Sequence, residues 1–255
     1  MIFETHAHYD DEAFDGDREE LLSAMQESGI EYIVNVGASL KSTAASVELA
    51  RRYPFVYAAA GVHPGETQEL NEERFAWLKE QCLLEKVAAV GEIGLDYHWD
   101  EPARDIQKLC FERQLDLARE VKKPVIIHSR DAARDTFDIM AAKNADEIGG
   151  VIHCYSYSTE MALKYVEMGF YIGIGGVVTF KNAKKLKDVV EALPIEHILL
   201  ETDSPYLSPE PNRGKRNSSL NLPYVAQRIA EIKGISYDEV VAITSRNAKR
   251  MYRID

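Results

Sequence analysis

The sequence predicts an α/β protein folded as a single TIM-type (β/α)8 barrel over residues 1–255. Three observations carry that expectation. Eight short apolar runs rich in β-branched residues punctuate the chain, helical patterns lie between them, and 255 residues is the usual size of one such barrel. Hydrophobic residues make up 45% of the chain, enough for a sizeable core. An open doubly wound sheet is the rival arrangement of the same alternation.

The runs fall at residues 2–5, 32–36, 56–61, 87–91, 124–127, 150–152, 170–174 and 198–200. Several are apolar without alternation, as parallel strands covered on both faces require. Asp17 precedes one helix in an N-cap position. Residues 104–120 read as an amphipathic helix with Ile106, Leu109, Cys110, Leu115 and Leu117 available for one buried side. After the last strand, the Pro/Gly-rich stretch 204–216 is long for a loop, and long loops in compact domains tend to carry function. Gly234 is placed to stop one helix, and Ser236 with Glu239 forms a capping box that starts the next. With no repeat, linker or composition shift, one domain is expected.

Composition narrows the setting. The amino terminus lacks a basic segment followed by an apolar stretch, so no secretory signal is expected, and no run approaches the ~18–20 apolar residues of a membrane span. Cys82, Cys110 and Cys154 are odd in number and form no CxxC spacing, which argues against a disulfide framework or a cysteine zinc site. A cytoplasmic location and a monomer are expected. The formal net charge is −12, which disfavours non-specific binding to a phosphate backbone.

A barrel builds its site at the carboxyl ends of its strands. There the sequence places Thr5-His6-Ala7-His8, Gly91-Glu92-Ile93-Gly94, His128-Ser129-Arg130, His153-Cys154 and Glu201-Thr202-Asp203. Imidazoles and carboxylates gathered at one rim are the ligand types of first-row divalent metals. His6 and His8, two apart in an extended segment, point to the same side and reach one ion. Glu92 offers two oxygens and so bridges two cations. Asp203 can ligate a metal and accept a proton from attacking water, which makes Asp203 and Glu92 the candidate catalytic residues. His6, His8 and Asp203 on one ion, and His128 with His153 on another, joined by Glu92, make a two-metal site that activates water. Mixed nitrogen and oxygen donors admit Mg, Mn or Zn among others. His197 lies at the opposite end of its strand, where structural roles prevail.

Longer segments carry a resemblance. Thr5-His6-Ala7-His8, Gly61-Val62-His63-Pro64, Gly91-Glu92-Ile93-Gly94-Leu95-Asp96-Tyr97, Pro124-Val125-Ile126-Ile127-His128-Ser129-Arg130, His153-Cys154-Tyr155-Ser156 and Glu201-Thr202-Asp203-Ser204-Pro205-Tyr206-Leu207 occur in that order. With residues 211–217 and the closing Asn247-Ala248, the chain resembles the TatD-like metal-dependent deoxyribonucleases, within the wider amidohydrolase-type barrels. The resemblance implies metal roles for His6, His8, Glu92, His128, His153 and Asp203, and 3′ to 5′ exonuclease action. Three positions depart from that pattern. Glu4 stands where the family usually has Asp, on the same side of the strand as His6, either as a longer partner for that imidazole or as a tolerated replacement. His98 and Tyr157 replace a commoner aromatic and a small residue.

A polyanionic substrate and an acidic chain are reconciled if positive charge is local. Two divalent ions add about four charges at the site. Arg130, Lys181, Arg213, Lys215 and Arg216 follow strand ends and suit phosphate contacts, and His63 is placed to meet substrate. Tyr97, Trp99, Tyr155 and Tyr206 are candidates to stack on an unpaired base. DNA as single strands or frayed 3′ ends is the expected substrate. A metal-dependent ester or amide hydrolase, such as a D-aminoacyl-tRNA deacylase, is the alternative, because the same ligands serve both chemistries. A non-catalytic metal-binding scaffold is the third reading.

Overall fold

Strands β1 (Ile2–Ala7), β2 (Ile30–Val36), β3 (Val56–Ala60), β4 (Val87–Asp96), β5 (Val125–Arg130), β6 (Gly150–Ile152), β7 (Tyr171–Ile174) and β8 (Ile198–Leu200) lie side by side in sequence order. The seven ladders between them are all parallel. Parallel neighbours need a crossover, and helices supply it. The crossover helices are α1 (Arg18–Ser23), α2 (Leu40–Arg52), α3 (Glu72–Cys82), α4 (Arg104–Val121), α5 (Ala133–Ala142), α6 (Thr159–Glu167) and α7 (Lys184–Ala192), and α8 (Leu222–Lys233) follows β8. A last helix, α9 (Tyr237–Tyr252), packs back against β1 and β8. The structure is a computed structural model that describes residues 1–99 and 101–254. Among the described residues, no helix is long and apolar enough to cross a membrane.

Closure of the sheet decides between the barrel and the open alternative. The backbone just beyond β8 bonds to β1, Asp203 N donating to His6 O at 2.9 Å and His8 N to Ser204 O at 2.8 Å. Ala7 and Ser204 form a parallel bridge. The barrel is therefore drawn together at the segment that carries Asp203, and the sequence expectation of a TIM-type barrel holds.

Alternation along the strands divides the core. Phe3, Val34, Val36, Ala59, Ala89, Ile126, Val151 and Leu199 form one cluster inside the barrel, extended at its amino end by Ala248, Met251 and Tyr252 of α9. Neighbouring positions such as Ile33, Val56, Ala58, Ile93 and Ile127 pack outward with helix residues including Leu22, Leu49, Phe111 and Leu115. Register shifts interrupt the ladders at four points, and two of them set the site. One lies between Glu4 and Ala7 of β1, the other between Val90 and Ile93 of β4. In each, three steps on one strand oppose two on its neighbour, so the parity reverses. His6 and Glu92 are thereby turned into the barrel mouth. Without the shifts, both would have joined the outward face.

The first shift corrects the expected placement of Glu4. It lies on the face opposite His6, where Oε1 accepts from the backbone N–H groups of His6 and Thr202 and Oε2 from the Ser219 hydroxyl. Burial pushes its carboxyl up to about 7 against these bonds. Glu4 ties β1 to the segment after β8; it does not orient the His6 ring.

Two local expectations also change. On α4, Ile106 and Leu109 are exposed, while Cys110, Leu115 and Leu117 are buried. The inward stripe instead includes Gln107 and Gln114. Gln114 bonds both backbone groups of Val62, and Gln107 accepts from Asp96 N and donates to Asp96 O. These amides fasten the open strand ends, a service no apolar side chain performs. Asp17 precedes α1 but makes no side-chain cap bond, because its carboxylate is engaged by Arg216. At the C-terminal side, Gly234 ends α8 with φ 66°, and the Ser236–Glu239 capping box opens α9.

Gly94 is the backbone position on which the His128 strand depends. It adopts φ +145°, and a Cβ there stands 1.9 Å from His128 O. Gly94→Ala is expected to destabilise the fold by about 1–3 kcal/mol or more and to shift His128. A denaturation midpoint equal to that of the unmodified protein contradicts this account of the close approach.

Candidate metal centre

The six predicted ligands converge at the carboxyl end of the barrel. Glu92 lies at the centre, 4% exposed, with its two oxygens facing different histidine sets. Toward Oε2 lie His6 Nε2 at 3.5 Å and His8 Nε2 at 3.7 Å. Asp203 Oδ1 completes this set, 3.7 Å from His6 Nε2 and 3.5 Å from His8 Nε2, while the two imidazole nitrogens are 3.2 Å apart. Toward Oε1 lie His128 Nδ1 at 2.7 Å and His153 Nε2 at 2.9 Å, themselves 3.2 Å apart.

These separations test whether the residues fit a cation. Ligands about 2.0–2.2 Å from a tetrahedral ion stand roughly 3.4 Å from one another. The first set matches: four donors, mostly too far apart to hydrogen-bond, surround a common centre. The second set is drawn closer by hydrogen bonds, and an ion there has to spread it by about half an ångström. It offers three protein donors, leaving positions for solvent or substrate. The donor set therefore fits divalent cations.

Hydrogen bonds behind the rings fix which nitrogen is free. His8 Nδ1 lies 2.8 Å from Val36 O, which only accepts, so Nδ1 keeps a proton and Nε2 is the nitrogen that ligates once its own proton leaves. His128 Nε2 lies 3.1 Å from Asp96 Oδ2, which leaves Nδ1 facing Glu92. His63 is the reverse case. Its ring clusters with Glu92 and His128, but Nδ1 accepts from Gly65 N at 3.0 Å. The proton of the neutral ring therefore sits on Nε2, 3.8 Å from Glu92 Oε1, and His63 is a donor rather than a ligand.

Electrostatics follow the same geometry. Burial opposes charge on His8, yet Asp203 and Glu92 outweigh it and raise the ring to about 10. Burial likewise opposes His128, but Asp96 and Glu92 raise it to about 9. Burial and the neighbouring His153 lower His6 to about 4; burial and His128 do the same to His63. Asp203 overcomes its burial through His8 and His6 and falls to about 2. Glu92, against its burial, is held well below the usual carboxylate range by His153 and His128. Glu201 moves the other way, pushed well up by burial.

Asp96 was missed as a partner of His128. A signal existed: Glu92, Gly94 and Asp96 follow one another at two-residue intervals on β4, so all three face the mouth. Glu201 carries no comparable signal beyond its place directly after β8.

An open cleft of about 900 Å³ lies over the centre, and Glu92, His8, His63, His128, His153 and Asp203 line it. Arg130 is the only lysine or arginine among the described residues that line the cleft, whereas Asp10, Asp11 and Asp96 also do. Lys181, Arg213, Lys215 and Arg216 are not among the lining residues. Arg216 reaches across to Asp17 and Ala13 O and covers the Phe14 ring. Arg213 stacks over Phe180. In the loop at 204–216, Tyr206 and Leu207 face the cleft, and Asn217 braces it through Thr202 O and Tyr206 O. Of the aromatic candidates, Trp99 and Tyr206 are exposed at the mouth; Tyr155 is buried and Tyr97 bonds to Asp135 beneath Arg104. His98 rests against Trp99 and Asp131, and the Tyr157 hydroxyl bonds Ser129 and Ala132 N, bracing the turn after β5. His197 lies before β8, away from the centre, beside Tyr171.

An eight-stranded barrel that gathers four histidines and two carboxylates at its carboxyl end is built as a metal-dependent hydrolase. Comparison with known proteins agrees. The family model described as TatD related DNase matches residues 3–253, and the chain belongs to that family. An uncharacterized metal-dependent hydrolase of Bacillus subtilis strain 168, YabD, is 46% identical over 255 residues, covering 100% of both chains. A Rahnella protein named 3′-5′ ssDNA/RNA exonuclease TatD is 30% identical over 259 residues, covering 99% of this chain and 98% of its own. The crystal structure of YjjV, a TatD homologue from Escherichia coli K12, superposes with a TM-score of 0.93 at 31% identity, covering 100% of this chain and 98% of that one.

Proposed function

We propose that the protein is a deoxyribonuclease that removes nucleotides from 3′ ends of single-stranded or frayed DNA. The reading rests first on Glu92, whose two oxygens face two separate donor sets, and second on the Rahnella relative named as a 3′-5′ ssDNA/RNA exonuclease. In this reading His6, His8, Asp203 and Glu92 would hold one divalent cation, and His128, His153 and Glu92 would hold a second. Such cations supply Lewis acidity and acidify water at neutral pH.

The chain's own groups supply the rest. Asp203 is ionised at neutral pH and faces the cleft, so it accepts the proton of the attacking water. His63, neutral with its proton on Nε2, donates to a phosphoryl oxygen. Arg130, exposed in the cleft, forms the planar contact to the scissile phosphate. Trp99 and Tyr206 offer stacking faces for bases of an unpaired strand. Because five carboxylates line the cleft, DNA binding itself is expected to require divalent ions.

The test is a labelled single-stranded oligonucleotide with Mg²⁺, Mn²⁺ or Zn²⁺ added in turn. A ladder shortening from the 3′ end is the expected result, and cleavage of a circular single strand rules out end-directed attack. Arg130→Gln is expected to raise KM by about 10-fold while kcat holds within a few-fold. An unchanged KM removes Arg130 from phosphate binding.

A further inference from the structure

Inside the barrel, behind the two donor sets, lies a polar group that the hydrolytic reading does not use. His6 and His153 stack face to face, ring centroids 4.0 Å apart and planes within 7° of parallel. Both turn Nε2 toward Glu92. Their Nδ1 atoms are buried without a hydrogen-bond partner, and so is Glu201 Oε2. A ring nitrogen of each histidine and an oxygen of Glu201 lie within 4.8 Å of one another. With the Nε2 atoms committed to Glu92, the orphaned Nδ1 atoms are the ones left for Glu201.

The carboxyl is held for this purpose from two sides. Its other oxygen, Oε1, accepts from Cys154 N at 2.5 Å. Gly173 on β7 leaves the space that Oε2 occupies, since a Cβ there stands 2.2 Å from that atom. A third cation among these atoms is the less economical alternative. Ligation at Nδ1 while Nε2 serves the Glu92 side requires both rings to be imidazolates.

We propose that Glu201 is a positioning residue shared by both halves of the metal centre. Its Oε2 accepts the Nδ1 protons of His6 and His153 through one bridging water, and so keeps each Nε2 free to ligate. His6 belongs to one donor set and His153 to the other, so a single carboxyl governs both. Asp96, by contrast, touches His128 alone among these rings. The proposal rests on the two-metal reading above.

The experiment is a zinc titration by calorimetry of the unmodified protein, Glu201→Gln and Asp96→Asn. Glutamine keeps the volume and one acceptor but places an amide where Oε2 stood. Glu201→Gln is expected to weaken both zinc ions by about 10–100-fold, and Asp96→Asn only one of them. If Glu201→Gln leaves either ion at its original affinity, the shared role is wrong. Should the unmodified protein take up no zinc, the metal reading itself falls and this proposal falls with it. A second measurement needs no variant and stands if Glu201→Gln does not fold. In the zinc-loaded protein with ¹⁵N-labelled histidine, His6 and His153 are both expected as Nδ1–H tautomers with slowly exchanging protons. An Nε2–H tautomer at either ring overturns the proposal.

Discussion

If Glu92 joins two cations as proposed, Glu92→Gln is expected to cost both and to lower turnover by about 10⁴-fold or more, while leaving the barrel folded. The substitution changes almost no volume at a side chain that is 4% exposed, so packing is preserved. What it removes is one oxygen and the charge. Oε1 stands 2.7 and 2.9 Å from His128 and His153, and Oε2 stands 3.5 and 3.7 Å from His6 and His8. An amide oxygen can serve one of these sets; its NH2 then faces the other as a donor, which repels a cation. The lost charge weakens the set that keeps the oxygen as well. Asp203→Asn separates the two roles. It alters only the set containing His6 and His8, so the second ion is retained while turnover collapses for want of a proton acceptor. Metal content per folded chain, measured beside oligonucleotide turnover, distinguishes the two variants. Near-normal metal content and turnover in Glu92→Gln remove the bridging role.

The contrast between these two variants was partly legible in the amino-acid sequence. Strand ends and ligand types could be read because apolar runs mark the strands and a barrel fixes which end carries chemistry. The face on which each side chain lands could not. Period-two counting puts Glu4 with His6, and the structure separates them because the chain takes an extra step between Glu4 and Ala7. The same device at β4 turns Glu92 inward. A bulge leaves no reliable trace in composition, since its cause lies in the neighbouring strand's register.

Pairings across long separations were equally hidden. Arg213, Lys215 and Arg216 look like a phosphate-binding cluster when read along the chain. In space, Arg216 meets Asp17, 199 residues away, and Arg213 lies on Phe180. Charge clusters in sequence report only proximity along the backbone, while each cation's partner is decided by the fold. Arg130 is the exception, because it directly follows His128 and Ser129 on a strand whose exit is fixed. Gln107 and Gln114 make the same point for the core: helical periodicity locates the buried stripe of α4, but not that two of its positions are polar clamps on β3 and β4.

Metal binding is expected to release about two protons per chain at pH 8, and affinity to rise with pH by up to tenfold per unit for each proton displaced. The protons belong to His8 and His128. Despite burial, which opposes their charge, Asp203 and Glu92 raise His8 to about 10, and Asp96 and Glu92 raise His128 to about 9. In the ion-free protein both rings are therefore charged at pH 8, balancing carboxylates that a cation will later balance. Glu92 and Asp203 are already ionised there, and His6 and His63, lowered to about 4, are already neutral, so these four release nothing. The sign for folding follows. Both histidines have folded-state values above 6.5, so their stabilisation is complete below about pH 6.5 and disappears as pH rises through 9 to 10. The ion-free protein is thus expected to melt at lower temperature at pH 10 than at pH 7, whereas the loaded protein, with cations in place of the protons, loses much less. Calorimetric titration with zinc in buffers of different ionisation enthalpy counts the protons directly. A heat of binding that does not depend on the buffer means that His8 and His128 hold no protons for a cation to displace, and the electrostatic account of the empty donor sets is then wrong.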